Sequence, residues 1–177
     1  MASPHGSRVD PEELRTIARI HDGSVILLRP LTRDDEELML ELYNSFSPET
    51  RKRRWFRART YMPRQELVSY LDNDYERDVA VLATWDDYDG EIPLGVGRYT
   101  RQDSEAEVAV VVRDDWQNRG VATALLRHLI EVAERHDITA LTAEVTEGNE
   151  AMLHLFDRLG FEVEKQQGGL VFLRRQL

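Results

Sequence analysis

Apolar positions recur along this chain in two rhythms, one of two residues and one of three to four, and their succession predicts strands and helices in a mixed α/β layer. Residues 24–29 (SVILLR) form an apolar, β-branched run that reads as a first strand. Pro30 stops it, and Thr32 opens a helix with Asp34 and Asp35 in its first turn, where the positive end of the helix favours acidic side chains. Leu38, Met39, Leu42, Tyr43 and Phe46 follow at helical spacing and mark one buried face. Ser47 and Pro48 read as the N-cap and first position of a second short helix. Pro63 starts a third, with Leu67, Val68 and Leu71 expected inside and a polar turn over residues 72–77 closing it.

The second half is more regular. Residues 78–85 and 94–100 read as two strands joined by a hairpin turn at DDYDG (86–90), with Gly95 and Gly97 marking a bulge, and residues 105–112 as a third strand. Between residues 121 and 135 a single stripe of Val121, Leu125, Leu126, Leu129, Ile130 and either Val132 or Ala133 predicts a long helix with Arg127, Glu131 and Glu134 outside. Residues 141–146 form another strand and residues 149–159 a helix ended by Gly160, and a last hairpin from residue 161 turns at Gly168 and Gly169. There is no internal repeat.

The length of 177 residues fits one domain, taken as residues 23–177, behind a polar N-terminal extension over residues 1–22. That extension lacks the apolar stretch of a secretory signal, and the chain has no apolar run of about 18 residues; a cytoplasmic protein with no membrane span is the expectation. The chain has no cysteine, which excludes disulfides, thiolate metal sites and a cysteinyl intermediate. Its five histidines show no ligand spacing, so no metal is expected. A formal charge of −10 argues against a general nucleic-acid binder and is compatible with a cationic substrate. One segment runs against that charge: Arg51, Lys52, Arg53, Arg54, Arg57 and Arg59 surround Trp55 and Phe56. It reads either as a site for RNA or a phosphorylated ligand, or as a solvated helix end pinned by two aromatics, the reading favoured in so acidic a chain.

Candidate chemistry concentrates in VVVRDDWQNRGVATALLRHLI, a strand, a turn and a helix that begins at Gln117, Asn118, Arg119, Gly120, Val121 and Ala122. Unpaired N–H groups at a helix start, with the positive end of its dipole, attract a pyrophosphate, and Gly120 lets the backbone approach it. The segment has neither the GK[ST] ending of a P-loop nor the GxGxxG of a Rossmann turn, which moves the ligand away from ATP and NAD. A glycine-bearing turn without a ligand is the alternative on this stretch alone.

Gln117, Gly120 and Ala122 resemble the Q/R-x-x-G-x-G/A signature of the GNAT acetyltransferase superfamily. Asn149, Ala151, Phe156, Gly160 and Phe161 resemble that family's second conserved helix and the strand after it. The segments RPLTRDDEELMLELYNSFSPET and AEVAVVVRDDWQNRG are further similar to bacterial protein lysine acetyltransferases of the Pat type. The resemblance implies a mixed, mostly antiparallel sheet splayed at its centre with helices on both faces. It also implies acetyl-CoA as cosubstrate: Val110, Val111 and Val112 would offer backbone hydrogen bonds to the pantetheine arm and the thioester oxygen. Residues Asn118, Arg119, Gly120, Val121, Ala122 and Thr123 would cradle the pyrophosphate, and Asn149 and Phe156 would flank the arm near the thiol.

The attacking amine must be neutral, and a lysine of ordinary pKa near 10.4 is so in only about one molecule in 2,500 at pH 7. Glu107 matches the position of the glutamate that serves as general base in many family members; a carboxylate solvating the start of the strand is the alternative. Phe156 stands where many members carry a tyrosine that protonates the departing sulfur. A thiolate, whose conjugate acid has a pKa near 8.5, is already a tolerable leaving group without it. The resemblance therefore implies transfer of acetyl from acetyl-CoA to a primary amine, a protein lysine first and a small-molecule amine second. A non-catalytic acyl-CoA-binding sensor is the competing reading.

Overall fold

The computed structural model describes residues 8–177. Its elements are β1 (Thr16–Arg19), β2 (Val25–Pro30), α1 (Glu36–Ser45), α2 (Pro48–Trp55), α3 (Arg64–Leu71), β3 (Asp78–Asp87), β4 (Gly90–Gln102), β5 (Glu105–Val112), α4 (Val121–Arg135), β6 (Ala140–Thr146), α5 (Glu150–Arg158), β7 (Glu162–Gln167) and β8 (Leu170–Gln176). The strands form one eight-stranded sheet in the order β1-β2-β3-β4-β5-β6-β8-β7. Every neighbouring pair is antiparallel except β5 and β6, which run parallel. This is the mixed, mostly antiparallel architecture that the resemblance implied. No helix among the described residues is long and apolar enough to cross a membrane.

The alternation of β3 shows why helices cover both faces. Val79, Val81 and Ala83 enter one core with Leu125, Leu126 and Leu129 of α4. Ala80 and Leu82 enter the other with Met39 and Leu42 of α1 and Leu67 of α3. A strand buried on both sides has to be apolar throughout, and β3 is so from Val79 to Ala83. Gly97 lets α4 lie close to β4, since a Cβ there would meet Leu129 Cδ1 at 2.9 Å. The register shift falls at Ala83/Thr84 opposite Gly95 and Pro93, so the bulged residue is Leu94, immediately before Gly95, and Gly97 pairs regularly with Val81.

Several expectations change. Val68, expected inside, is 47% exposed; α3 runs only from Arg64, which narrows its buried stripe to Leu67 and Leu71. The helix read from Thr32 begins as a 3₁₀ turn, Arg33–Asp35, in which the Asp35 carboxylate accepts from the Thr32 backbone and becomes α-helical at Glu36. The segment read as a polar extension carries β1 and a 3₁₀ turn, Pro11–Leu14, and buries Val9, Leu14 and Ile20. Its apolar residues are too sparse for either periodicity. Contacts distant in sequence hold it instead: Val9 N–H donates to the Tyr75 carbonyl at 2.7 Å, and His128 Nε2 lies 3.1 Å from the Leu14 carbonyl oxygen. Residues 1–7 of that segment lie outside the described residues.

On the far side of the sheet, Arg29 of β2 ties three elements together. It donates to Asp35 at 2.8 and 3.0 Å and to Glu91 at 2.7 and 3.0 Å. Burial raises the Asp35 carboxyl, but hydrogen bonds from Arg29 and from the Thr32 backbone outweigh it and hold the group below its ordinary range.

Candidate active site

β5 and β6 pair over only three residues, Glu105↔Ala140, Ala106↔Leu141 and Glu107↔Thr142, and then diverge. β5 stays paired with β4 to its end. The Arg113 N–H donates to the Leu94 carbonyl, which places Arg113, and by alternation Val111 and Ala109, in the phase that spends its backbone groups on β4. Val108, Val110 and Val112 have the opposite phase and turn theirs into the gap. The Val112 carbonyl is taken by Gln117 Nε2 at 3.0 Å, which pins the turn to the strand. Backbone donors and acceptors at Val108 and Val110 thus face the cleft without a strand partner. Val111 lines it but turns its backbone away, and Val108 was missed because its phase shows only in the ladder.

A cavity of about 340 Å³ fills this cleft. Of the residues given a catalytic or cofactor role from the sequence, all but Arg119 line it: Glu107, Val110, Val111, Val112, Gln117, Asn118, Gly120, Val121, Ala122, Thr123, Asn149 and Phe156. At one end stands the start of α4. Gly120 is the N-cap at φ +97° with no side-chain cap, and the first helical bond closes only at Ala124 N–H to Gly120 carbonyl. The N–H groups of Val121, Ala122 and Thr123 are therefore left for an anion, with the positive end of a 15-residue helix behind them. These donors and the two free strand rungs suit a pyrophosphate followed by an amide-bearing arm.

Arg119 has another task. Its Nε donates to Asp22 at 2.9 Å and its guanidinium lies 3.7 Å over the Trp116 ring. The Ser24 backbone N–H and Arg119 lower the Asp22 carboxyl to about 2. His21 N–H donates to the Arg119 carbonyl at 2.9 Å, so the β1–β2 hairpin is latched onto the cradle. A Cβ on Gly120 would meet the His21 ring at 2.9 Å. The close approach that glycine permits here is with His21, a residue that no sequence signal pointed to.

Glu107 sits at the apex where the strands part, and no ion-pair partner lies within reach of it among the described residues. Glu144 lines the same cavity on β6, two residues beyond Thr142, the register partner of Glu107, and so on the same face. Burial first, and then the charge of Glu107, raise the Glu144 carboxyl above its ordinary range, with Lys165 opposing. The apex thus holds two carboxylates, of which burial and the neighbouring charge dispose Glu144 to keep its proton. Glu144 was invisible in the sequence because the pairing depends on the β5–β6 register.

At the other end of the helix pair, Asn149 caps α5 by accepting from Met152 N–H at 3.4 Å. Phe156 is only 2% exposed and packs edge-on against Phe161, with centroids 4.8 Å apart, yet its ring also lines the cavity. Among the described residues no tyrosine lines the cavity.

The Acetyltransferase (GNAT) family model matches residues 38–161, well over half of the chain. The chain belongs to this family. Acetyltransferase PA5475 of Pseudomonas aeruginosa is 32% identical over 148 residues, covering 82% of this chain and 79% of that protein. Acetyltransferase Pat of Mycolicibacterium smegmatis is 32% identical over 158 residues, covering 86% of this chain but 46% of Pat, so the chain spans less than half of that relative. The crystal structure of the GNAT domain of S. lividans PAT superposes with a TM-score of 0.89 at 29% identity, over 96% of this chain and all of that one. GNAT membership makes the chain an acyl-CoA-dependent N-acetyltransferase. The hairpin of β1 and β2, with His21 and Asp22, lies outside the matched GNAT region.

Proposed function

We propose that this GNAT protein moves an acetyl group from acetyl-CoA to the side-chain amine of a protein lysine by direct attack in a ternary complex. The observation that carries the reading is the unpaired Glu107 carboxylate at the apex of the cleft, beside strand rungs that no neighbour satisfies. In this reading the start of α4 takes the pyrophosphate, and the arm runs along β5 on Val108 and Val110. Glu107 removes the ammonium proton, directly or through a water. The nitrogen lone pair then forms the bond to the carbonyl carbon, and backbone N–H groups stabilise the oxygen as charge develops on it. The carbon–sulfur bond breaks and CoA leaves as the thiolate, which takes its proton from solvent, since no tyrosine among the described residues lines the site.

The resemblance of residues 29–50 and 106–120 to Pat-type protein lysine acetyltransferases supports the lysine acceptor, and the absence of cysteine agrees with transfer without an acyl-enzyme. The test is to incubate the protein with acetyl-CoA and a peptide carrying one lysine, and to follow free thiol together with the mass of the peptide. Equal release of thiol and gain of one acetyl group is expected. Tight acetyl-CoA binding without transfer to any amine would show a binding module instead.

A further inference from the structure

One wall of the cleft, formed by α2, carries a charge pattern that the family signature does not explain. Six of the 23 lysines and arginines fall between residues 51 and 59, in a chain of net charge −10. α2 buries none of its residues, so its basic side chains are not there to fill a core. The aromatics divide the work. Trp55 is pinned, its Nε1 donating to Tyr70 Oη at 3.0 Å and its ring set edge-on to Tyr43 with centroids 5.3 Å apart. Phe56 is left-handed at φ 57°, 42% exposed, and lines the cavity.

The cations divide likewise. Arg59 is bound to Glu66, and Arg51 donates to the carbonyls of Tyr43 and Thr60. Arg53 and Arg54 line the cavity with Glu107 and Glu144. Arg53 meets only Glu49, one turn earlier on the same helix and largely exposed. Arg54 is half-buried, lies over the Trp55 and Tyr70 rings, and donates to Tyr70 Oη at 3.2 Å; among the described residues no carboxylate lies within ion-pair distance of it, and Glu66, bonded to Arg59, feels its charge from farther off. A guanidinium held on an aromatic platform and bonded to no carboxylate is preorganised for an external anion.

One cleft therefore presents two carboxylates at its apex and three arginines on its wall, Arg158 of α5 and the pair Arg53 and Arg54, which is continuous with an exposed basic helix. We infer that the acceptor is a lysine set in an acidic stretch of polypeptide, its ammonium directed to Glu107 and Glu144 and its flanking Asp or Glu side chains to Arg53 and Arg54. The basic helix surface extends beyond the cavity, which suits a chain segment better than a compact amino acid. The proposal rests on the lysine reading given above and specifies which lysines are used.

The test compares kcat/KM for peptides identical but for the residues flanking one lysine: two glutamates, two glutamines or two arginines. The glutamate peptide is expected to exceed the glutamine peptide by about tenfold and the arginine peptide by more. Arg54→Gln should shrink the first ratio to about threefold or less, acting on KM, while the acetyl-CoA Kd measured by calorimetry changes less than about twofold. Arg54→Lys, which keeps the charge, should retain part of the preference, which separates a charge effect from loss of the Trp55 and Tyr70 contacts. Equal rates on all three peptides would overturn this inference and leave lysine transfer standing. Transfer to none of them would overturn both. A parallel loss of acetyl-CoA affinity in Arg54→Gln would assign the arginine to the cofactor phosphates, and preferential acetylation of a free amino acid would replace the polypeptide with a small acceptor; either overturns the inference.

Discussion

Replacing Gly120 by alanine is the sharpest probe of how the cradle is built. At φ +97° any side chain is strained, at a cost of about 1–2 kcal/mol. The new Cβ would also stand 2.9 Å from His21 Cδ2 and Nε2, closer than carbon atoms pack. The ring cannot retreat freely, because His21 N–H is bonded to the Arg119 carbonyl and Asp22 holds the Arg119 guanidinium. Adding about 1 kcal/mol for that contact gives a total near 2–3 kcal/mol, which for a chain of this size lowers Tm by about 5–10 °C. The same displacement re-aims the N–H groups of Val121, Ala122 and Thr123, and acetyl-CoA affinity should fall about tenfold, or 1.4 kcal/mol. Calorimetric Kd and Tm on Gly120→Ala, His21→Ala and the double variant complete a cycle. The double variant should regain the contact part, a coupling of about 1 kcal/mol, and keep the backbone part. Unchanged Kd and Tm in Gly120→Ala would refute the cradle geometry, and a strictly additive cycle would refute the His21 contact.

Glu107→Gln should lower turnover by about 10²-fold near neutral pH with acetyl-CoA affinity nearly unchanged, checked by steady-state kinetics beside calorimetry; equal losses in both would remove the base role. The same variant should move the Glu144 titration, followed by NMR, downward: the Glu107 charge is one of the two causes that raise it, and burial alone remains. Phe156→Tyr places a hydroxyl in or beside the cavity, so turnover should hold or rise by up to about 10²-fold; a fall in Tm with no change in turnover would place the ring in the core and away from the thiol. Asp35→Asn should cost about 2 kcal/mol at pH 7, discounted for partial exposure of the pair. Because the native Asp35 pKa is depressed, that contribution is fully present above the ordinary carboxylate pKa near 3.9 and is lost as pH falls through the lower native value, so denaturant midpoints of the two proteins should converge in acid.

The second half of the fold was legible because its signals are local. The stripe from Val121 to Ile130 repeats over a long helix, and Gly120 and Gly160 punctuate helix ends by their positive φ. Most of the cofactor-side residues follow from the same stretch. What stayed hidden depends on pairing across the sheet or on contacts far apart in sequence. The phase that frees Val108 and Val110 and occupies Val111 exists only once β4 is in register. Glu144 joins Glu107 only through the parallel rungs at residues 105–107. The strand Thr16–Arg19, with Ile17 exposed on its outer face, carries too few residues for its alternation to stand out. His21 reaches Gly120 from 99 positions away, and no spacing rule spans that separation.

The three-rung seam between β5 and β6 makes this sheet mechanically two plates, five strands on one side and three on the other. Every other junction between neighbouring strands is longer, and α4 alone connects the plates in sequence. A molecule lying along β5 in the cleft fills the place of the missing rungs, so the bound form is the one in which the plates are fully joined. Without it, three ladder rungs, the Glu105–Arg174 ion pair and the side-chain core shared by both plates hold them together. Ligation should therefore slow amide exchange at Val108 and Val110 and across β6 more than at β2 or β3, coupling the stiffness of the carboxy-terminal plate to the supply of acyl donor.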